Sequence, residues 1–198
     1  MSRRWALFGG SFDPVHCGHL LVAERLRELE RLDVVVFVPA QRSPHKRGTR
    51  APARDRLAML RLALRGNPAF TTSDLEIRRH GPSYTIDTVR AWRARTGTKP
   101  ILLLGGDALL DLHLWREAEA LQREARIVVY ARPGAEAAAE RARALGVRYH
   151  AGVLSTISSG DLRRLARRGH SLRYQVPEAV RRYIETHDLY AGAPRRNR

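Results

Sequence analysis

The sequence predicts an α/β fold: a doubly wound, mainly parallel sheet with helices on both faces. Three observations carry that expectation. Four short runs are almost continuously apolar: Trp5-Ala6-Leu7-Phe8, residues 34–38 (VVVFV), Ile101-Leu102-Leu103-Leu104 and Ile127-Val128-Val129-Tyr130. Strands buried on both sides read this way, because neither face alternates with solvent. Between the runs lie segments with helical spacing, and this alternation marks parallel strands joined by helical crossovers. Finally, 198 residues with 43% hydrophobic content suffice for one sizeable core. No linker or internal repeat divides the chain, so we expect one domain over residues 1–190 and a short, basic, disordered tail over 191–198.

The elements follow in order. The first strand opens at Trp5, and Gly18 to Leu29 reads as a helix in which Val22, Leu26 and Leu29 recur at helical spacing. After the 34–38 strand, residues 53–64 and 84–95 read as helices. The strands at 101–104 and 127–130 come next, with a helix expected over 135–145. Ser158-Ser159-Gly160-Asp161 before Leu162 is a capping box, Asp161 answering Ser158 three residues later. A last helix over 177–186 opens on Pro177, a residue favoured in the first helical turn. Each strand then runs into residues suited to a ligand. Phe8 leads to Gly9-Gly10-Ser11, Val38 to Pro39-Ala40-Gln41-Arg42, Leu104 to Gly105-Gly106-Asp107, and Tyr130 to Ala131-Arg132-Pro133-Gly134. Turn-forming glycine and proline explain any one of these loops. Four at the same sheet edge predict a crevice of the Rossmann-like kind, where open parallel sheets bind ligands.

Composition excludes several classes. No run approaches the roughly 18 apolar residues of a membrane span, and the first residues lack a signal-peptide pattern. The single cysteine, Cys17, excludes an internal disulfide framework and a multi-cysteine zinc site. A soluble, cytoplasmic protein is expected. The formal net charge is +16, and all but Lys46 and Lys99 of the 36 Lys and Arg residues are arginine. They are spread in pairs such as Arg78-Arg79, Arg167-Arg168 and Arg181-Arg182. Such arginines read as solvated faces, or as a field that draws in polyphosphates. Charge alone does not choose between a nucleotide enzyme and a nucleic-acid binder.

The segment GGSFDPVHCGHL (9–20) carries the chemistry. Its glycine spacing is not that of a dinucleotide fingerprint, and it lacks the GK[ST] ending of a P-loop. Gly9 and Gly10 let a ligand lie against the backbone. Asp13-Pro14 makes a turn, and Gly18 permits close packing at a helix start, whose amides attract anions. His16 and His19 are three apart and share a helical face, a plausible clamp for a phosphate. A zinc site would need a third ligand, with Cys17 pointing elsewhere, and two helix-end histidines can also serve only as caps. Pro44-His45-Lys46 reads as an exposed loop, and Trp115 after four leucines as a core aromatic.

This segment resembles the opening motif of the nucleotidylyltransferase superfamily. VPAQRSPHK (38–46), GPSYTIDT (81–88), GGDALLDLHLW (105–115), ARPG (131–134), ISSGDLRR (157–164) and VPEAVRRYIETHDLY (176–190) narrow the resemblance to bacterial nicotinate mononucleotide adenylyltransferases. The resemblance implies transfer of the adenylyl group of ATP to nicotinate mononucleotide. It implies that His16, His19, Lys46 and Arg163 are the catalytic set, and that Gly9, Gly10, Ser11 and Phe12 line the ATP site. Ser158, Ser159 and Arg163 would hold the β- and γ-phosphates, and Arg132 would frame the adenine or ribose. For the acceptor it implies Ser11, Lys46, Tyr84, Thr85, Gly106, Asp107 and Trp115, with the indole facing the pyridine ring and Asp107 near a ribose hydroxyl. Mg2+ would ride mainly on substrate phosphates, with no protein metal cage and no nucleic-acid or membrane partner. The family usually has Thr where Gly160 stands, so that hydroxyl contact is not carried over. Alkylation of Cys17 is expected to slow turnover by crowding the phosphates.

Overall fold

The computed structural model describes residues 3–42, 44, 48–131, 135–152 and 156–192. Its elements are β1 (Trp5–Gly10), α1 (Cys17–Leu29), β2 (Val34–Pro39), α2 (Ala53–Leu64), β3 (Phe70–Thr72), α3 (Thr85–Thr96) and β4 (Ile101–Gly105). There follow α4 (Gly106–Leu110), a 3-10 turn (Leu112–Leu114), α5 (Ala118–Glu124), β5 (Arg126–Tyr130), α6 (Glu136–Ala144), β6 (Arg148–His150), α7 (Ser159–Arg167) and α8 (Glu178–Thr186). The strands form one sheet in the order β3-β2-β1-β4-β5-β6, and every described pairing is parallel. The chain winds outward from β1 to β3, returns to the middle, and winds outward again from β4 to β6. The order therefore reverses between β1 and β4, where a parallel sheet opens a crevice at its carboxyl edge.

Burial on both faces explains the continuous apolar runs. One core joins Ala6, Phe8, Val35, Phe37, Leu103 and Val128 to Val22 and Leu26 of α1, Leu60 of α2, Leu162 of α7 and Val180 of α8. The other joins Leu7, Val36, Leu102 and Val129 to Ile86 and Val89 of α3, Leu109 of α4 and Leu121 of α5. Alternate residues of each central strand thus feed opposite cores, so a polar residue is tolerated on neither side. Among the described residues no helix is long and apolar enough to cross a membrane.

The expected strands and helices form within two residues of their expected bounds, with two local differences. Leu29 is 40% exposed; the chain turns at Glu30, and Leu32 enters the core in its place. Pro177 sits at the cap of α8 rather than inside it, with φ −55. Elements not expected are β3, β6, α4 and α5. The two edge strands have three residues each, too few for a periodicity to register, and backbone pairing rather than apolar content defines them. Of the expected tail only Ala191 and Gly192 are described; residues 193–198 lie outside the described set.

Glu30, at the end of α1, is 3% exposed. Its carboxylate accepts from Arg126 at 3.0 Å and from His150 at 2.7 Å, with Arg148 at 3.2 Å. A buried carboxylate is tolerable only when its lone pairs are filled, so this cluster pins the helix to β5 and β6. Glu30→Ala is expected to lower unfolding stability by about 1–3 kcal/mol. The figure is modest because the arginine partners are half-exposed and can rehydrate. Urea unfolding followed by tryptophan fluorescence checks it, and an unchanged midpoint would show the cluster to be ornamental.

Candidate active site

The carboxyl edge of β1, β2 and β4 opens into a cleft of about 690 Å³, within the range of small-molecule sites. One wall is the loop after β1 with the start of α1, and a second is the start of α7. The far end is made by residues 83–88, the α4 region and Trp115.

The last residue of β1, position 10, is glycine because a side chain there would lie 2.9 Å from the Phe12 ring. That ring turns back beneath the loop, at φ 49 and 2% exposed, edge-on to Phe8 and His19. Phe12 therefore lines the cleft as a floor under the histidine. His16 caps α1 in an extended conformation, which leaves its backbone N–H to donate to His19 Nδ1 at 3.2 Å. With Nδ1 an acceptor, the neutral His19 ring carries its proton on Nε2. The two rings stack 3.7 Å apart at 29°, and both line the cleft. The expected shared face is formed. Cys17, between them, does not line this cleft but a separate groove with Leu21 and Glu24. Burial also pushes its thiol up, which disfavours the reactive thiolate. The expectation that its alkylation crowds the phosphates is corrected by this placement. Among the described residues no three His, Cys, Asp or Glu side chains converge as metal ligands.

The opposite wall is the capped start of α7. Ser158 Oγ accepts the Asp161 amide at 3.1 Å and donates to the Asp161 carboxylate at 2.6 Å, the capping arrangement expected. Ser159 Oγ donates to the Pro14 carbonyl at 2.9 Å, and Arg163 donates to the Asp13 carbonyl at 2.6 Å. Both serine hydroxyls are thus committed within the protein. What this wall offers an anion is the first-turn backbone N–H groups and the Arg163 guanidinium. Helix and histidine loop, far apart in sequence, are fastened together.

At the far end Ser11, Thr85, Asp107 and Trp115 line the cleft with Gly9 and Gly105. Two expected residues do not. The Tyr84 ring lies under the Arg116 guanidinium, which is 4.9 Å from the ring centroid, and the neighbouring Ser83 and Thr85 line the cleft instead. Gly106 is a packing glycine: a Cβ there would be 3.0 Å from Ala138 Cβ of α6. Lys46 and Arg132 lie outside the described residues. Sequence reasoning missed Ser83, Thr88 and Glu76, all of which line the cleft. Ser83 Oγ accepts the Gln41 amide at 2.9 Å and Thr88 donates to the Glu76 carboxylate at 2.7 Å, joining the β2 loop to α3. Arg56, fully buried, donates to the carbonyls of Ser11 (2.7 Å), Gln41 (3.3 Å) and Ala51 (3.2 Å), and burial lowers its pKa against the charge of Asp13. No periodicity flags these residues, because only the fold brings their hydrogen-bond partners to them.

Residues 7–167 match the cytidylyltransferase-like family model. A Symbiobacterium thermophilum protein is 45% identical over 197 residues, covering 94% of this chain and 95% of its own length. A Roseiflexus protein is 47% identical over 191 residues (93% and 96%), and one from Thermus thermophilus 46% over 188 (94% and 99%). All three carry the name "probable nicotinate-nucleotide adenylyltransferase". The chain belongs to this nicotinate-nucleotide adenylyltransferase family. The Plasmodium falciparum nicotinic acid mononucleotide adenylyltransferase, solved in complex with NaAD, superposes with a TM-score of 0.78 at 20% identity, covering 96% of this chain and 98% of that one. That likeness establishes the fold.

Position 160 has no steric need for glycine. A Cβ there meets only Ser158 Oγ at 3.7 Å and Arg164 Nη1 at 4.0 Å, ordinary contacts. Gly160→Ala is expected to raise stability by about 0.5–1 kcal/mol through reduced backbone entropy; a lower melting temperature would contradict the open geometry. Glu76 gives a pH signature. Burial raises its pKa, against the lowering by the Thr88 and Ser83 hydroxyls. Below the unfolded-state pKa, near 4.3, both states are protonated and no penalty exists. As pH rises through the higher folded-state pKa, the folded state must ionise a buried carboxyl and loses stability. The stability of Glu76→Gln relative to the native protein should therefore grow as pH rises above about 4. A gap independent of pH in urea titrations would remove Glu76 as the titrating group.

Proposed function

We propose that the protein is a cytoplasmic enzyme that transfers the adenylyl group of ATP to nicotinate mononucleotide, forming nicotinate adenine dinucleotide and pyrophosphate in NAD biosynthesis. The observation that carries this reading is the stacked His16–His19 pair facing the start of α7 across one cleft. Two imidazoles, a helix N-terminus and an arginine around one cavity suit a ligand with several phosphates.

The chemistry needs no protein nucleophile. An oxygen of the mononucleotide phosphate attacks the α-phosphorus of ATP in line. The new P–O bond forms as the bond to the β-phosphate oxygen breaks, and pyrophosphate carries away the charge. The protein's task is to hold two anions together and to stabilise charge as it redistributes. His19 donates through Nε2, the atom to which the His16 amide directs its proton. Arg163 and the first-turn amides of α7 hold the β- and γ-phosphates, and Lys46 adds countercharge. Gly9 and Gly10 admit the nucleotide to the backbone, and Arg132 frames its adenine or ribose. The acceptor's pyridine ring meets Trp115, its carboxylate the amides of Tyr84 and Thr85, and its ribose Asp107. Mg2+ enters as part of the MgATP substrate, since phosphate oxygens and water suit this ion and suffice for it.

His19→Ala should slow the single-turnover rate by about 10²–10³-fold, the scale for removing one preorganised donor; an unchanged rate removes His19 from that role. Pyrophosphate release, assayed with ATP and each acceptor in turn, tests the reading as a whole. Release with nicotinate mononucleotide supports it. Release only with nicotinamide mononucleotide or another phosphorylated acceptor would replace the acceptor. Tight, salt-dependent oligonucleotide binding without any release would replace the function.

A further inference from the structure

Asp13 lies one residue beyond Phe12 in the histidine loop and is 3% exposed. Its Oδ1 accepts the Ala51 amide at 3.0 Å and the Tyr190 hydroxyl at 2.7 Å, and its Oδ2 accepts the Arg50 amide at 2.8 Å. Three of the roughly four lone-pair sites of a carboxylate are therefore filled. Arg163 hangs beside this group. Its Nη1 is bonded to the main-chain carbonyl of Asp13, 3.7 Å from Oδ2, and its side chain lines the cleft. An arginine this close to a buried carboxylate ordinarily closes a short, bidentate pair, which would turn it away from a ligand.

We propose that Tyr190 and Asp13 are positioning residues for Arg163: by occupying the carboxylate, the Tyr190 hydroxyl keeps the guanidinium presented to the triphosphate instead of captured within the protein. The chain adopts an unfavourable left-handed backbone at Tyr190, φ 67, where a residue without special freedom is rarely found. Burial, with the Asp13 charge, holds the phenol far above its ordinary range, so it remains a donor at any working pH. When Arg163 turns to a phosphate, the Asp13 carboxylate keeps its bonds to the Ala51 and Arg50 amides and the Tyr190 hydroxyl. The segment after α8 thereby controls a residue of the cleft it does not itself line.

Because this deepens the reading of Arg163 as an ATP-phosphate ligand, the test separates the two. ATP affinity is measured by calorimetry, with Mg2+ and without acceptor, for the native protein, Tyr190→Phe, Arg163→Ala and the double variant. Tyr190→Phe removes one oxygen from a buried hydrogen bond and is expected to weaken ATP about three- to tenfold, the range a net hydrogen bond converts to. At saturating substrates its kcat should stay within about twofold, as expected for a change confined to binding. In the Arg163→Ala background the same substitution should have no further effect, the mark of a coupled pair. Tyr183→Phe deletes a comparable tyrosine–aspartate bond, to Asp55 at 2.9 Å; it should lower the melting temperature and leave ATP affinity intact. An unchanged affinity for Tyr190→Phe beside a weakened Arg163→Ala overturns the proposal. So does a loss that persists without Arg163, which would mean general loosening. Normal ATP binding by Arg163→Ala overturns the underlying assignment of Arg163.

Discussion

The candidate site depends on one junction, where the first turn of α7 is bonded to the loop after β1. Ser159 to the Pro14 carbonyl and Arg163 to the Asp13 carbonyl join segments about 145–150 residues apart. A parallel sheet whose order reverses at its centre leaves a gap at the carboxyl edge. The loop beside that gap can form only one wall. A second wall must come from elsewhere in the chain, and α7 supplies it. Without the junction the two histidines would face solvent, where an imidazole donor is worth far less to an anion than in a walled cleft.

Satisfying buried charge is the second constraint, and it is met by backbone as much as by counter-ions. Arg56 spends its guanidinium on three carbonyls, and Asp13 takes two amides before any side chain. Such bonds fix loops, because a displaced carbonyl would leave a buried donor unpaired at considerable cost. The excess positive charge resides elsewhere. Arg181 bridges Glu178 and Glu185 along α8, and Arg90 bridges Glu117 and Glu124 between α3 and α5. Each pair has at least one partner open to water and stabilises little individually; many of the arginines are solvated faces, one of the two meanings their scatter allowed.

Much of the fold was legible because long buried strands and amphipathic helices leave a periodic trace. Val34 to Val38 and Leu26 on α1 are examples. Short edge strands such as Phe70–Thr72 and Arg148–His150 leave none, and Leu29 shows that spacing alone does not tell where a helix meets its core. Within the site, the histidine spacing and the Ser158 cap were legible because a helical turn decides them locally. The burial of Phe12, the turning of the Tyr84 ring to Arg116 and the packing of Gly106 against Ala138 were not. Each depends on a neighbour distant in sequence. Glu76 and Arg56 carried no signal at all, since a lone polar residue in a sequence looks the same whether it is solvated or buried.

The sequence by itself determined the alternation of strand and helix, the common edge of the loops and the shared face of His16 and His19. These follow from backbone geometry over a few residues. Tertiary structure alone decided which wall faces the histidines, which hydroxyls are already engaged, and that Tyr190 reaches Asp13. Hydrogen bonds between remote segments have no period, so their partners exist only once the chain has closed around them.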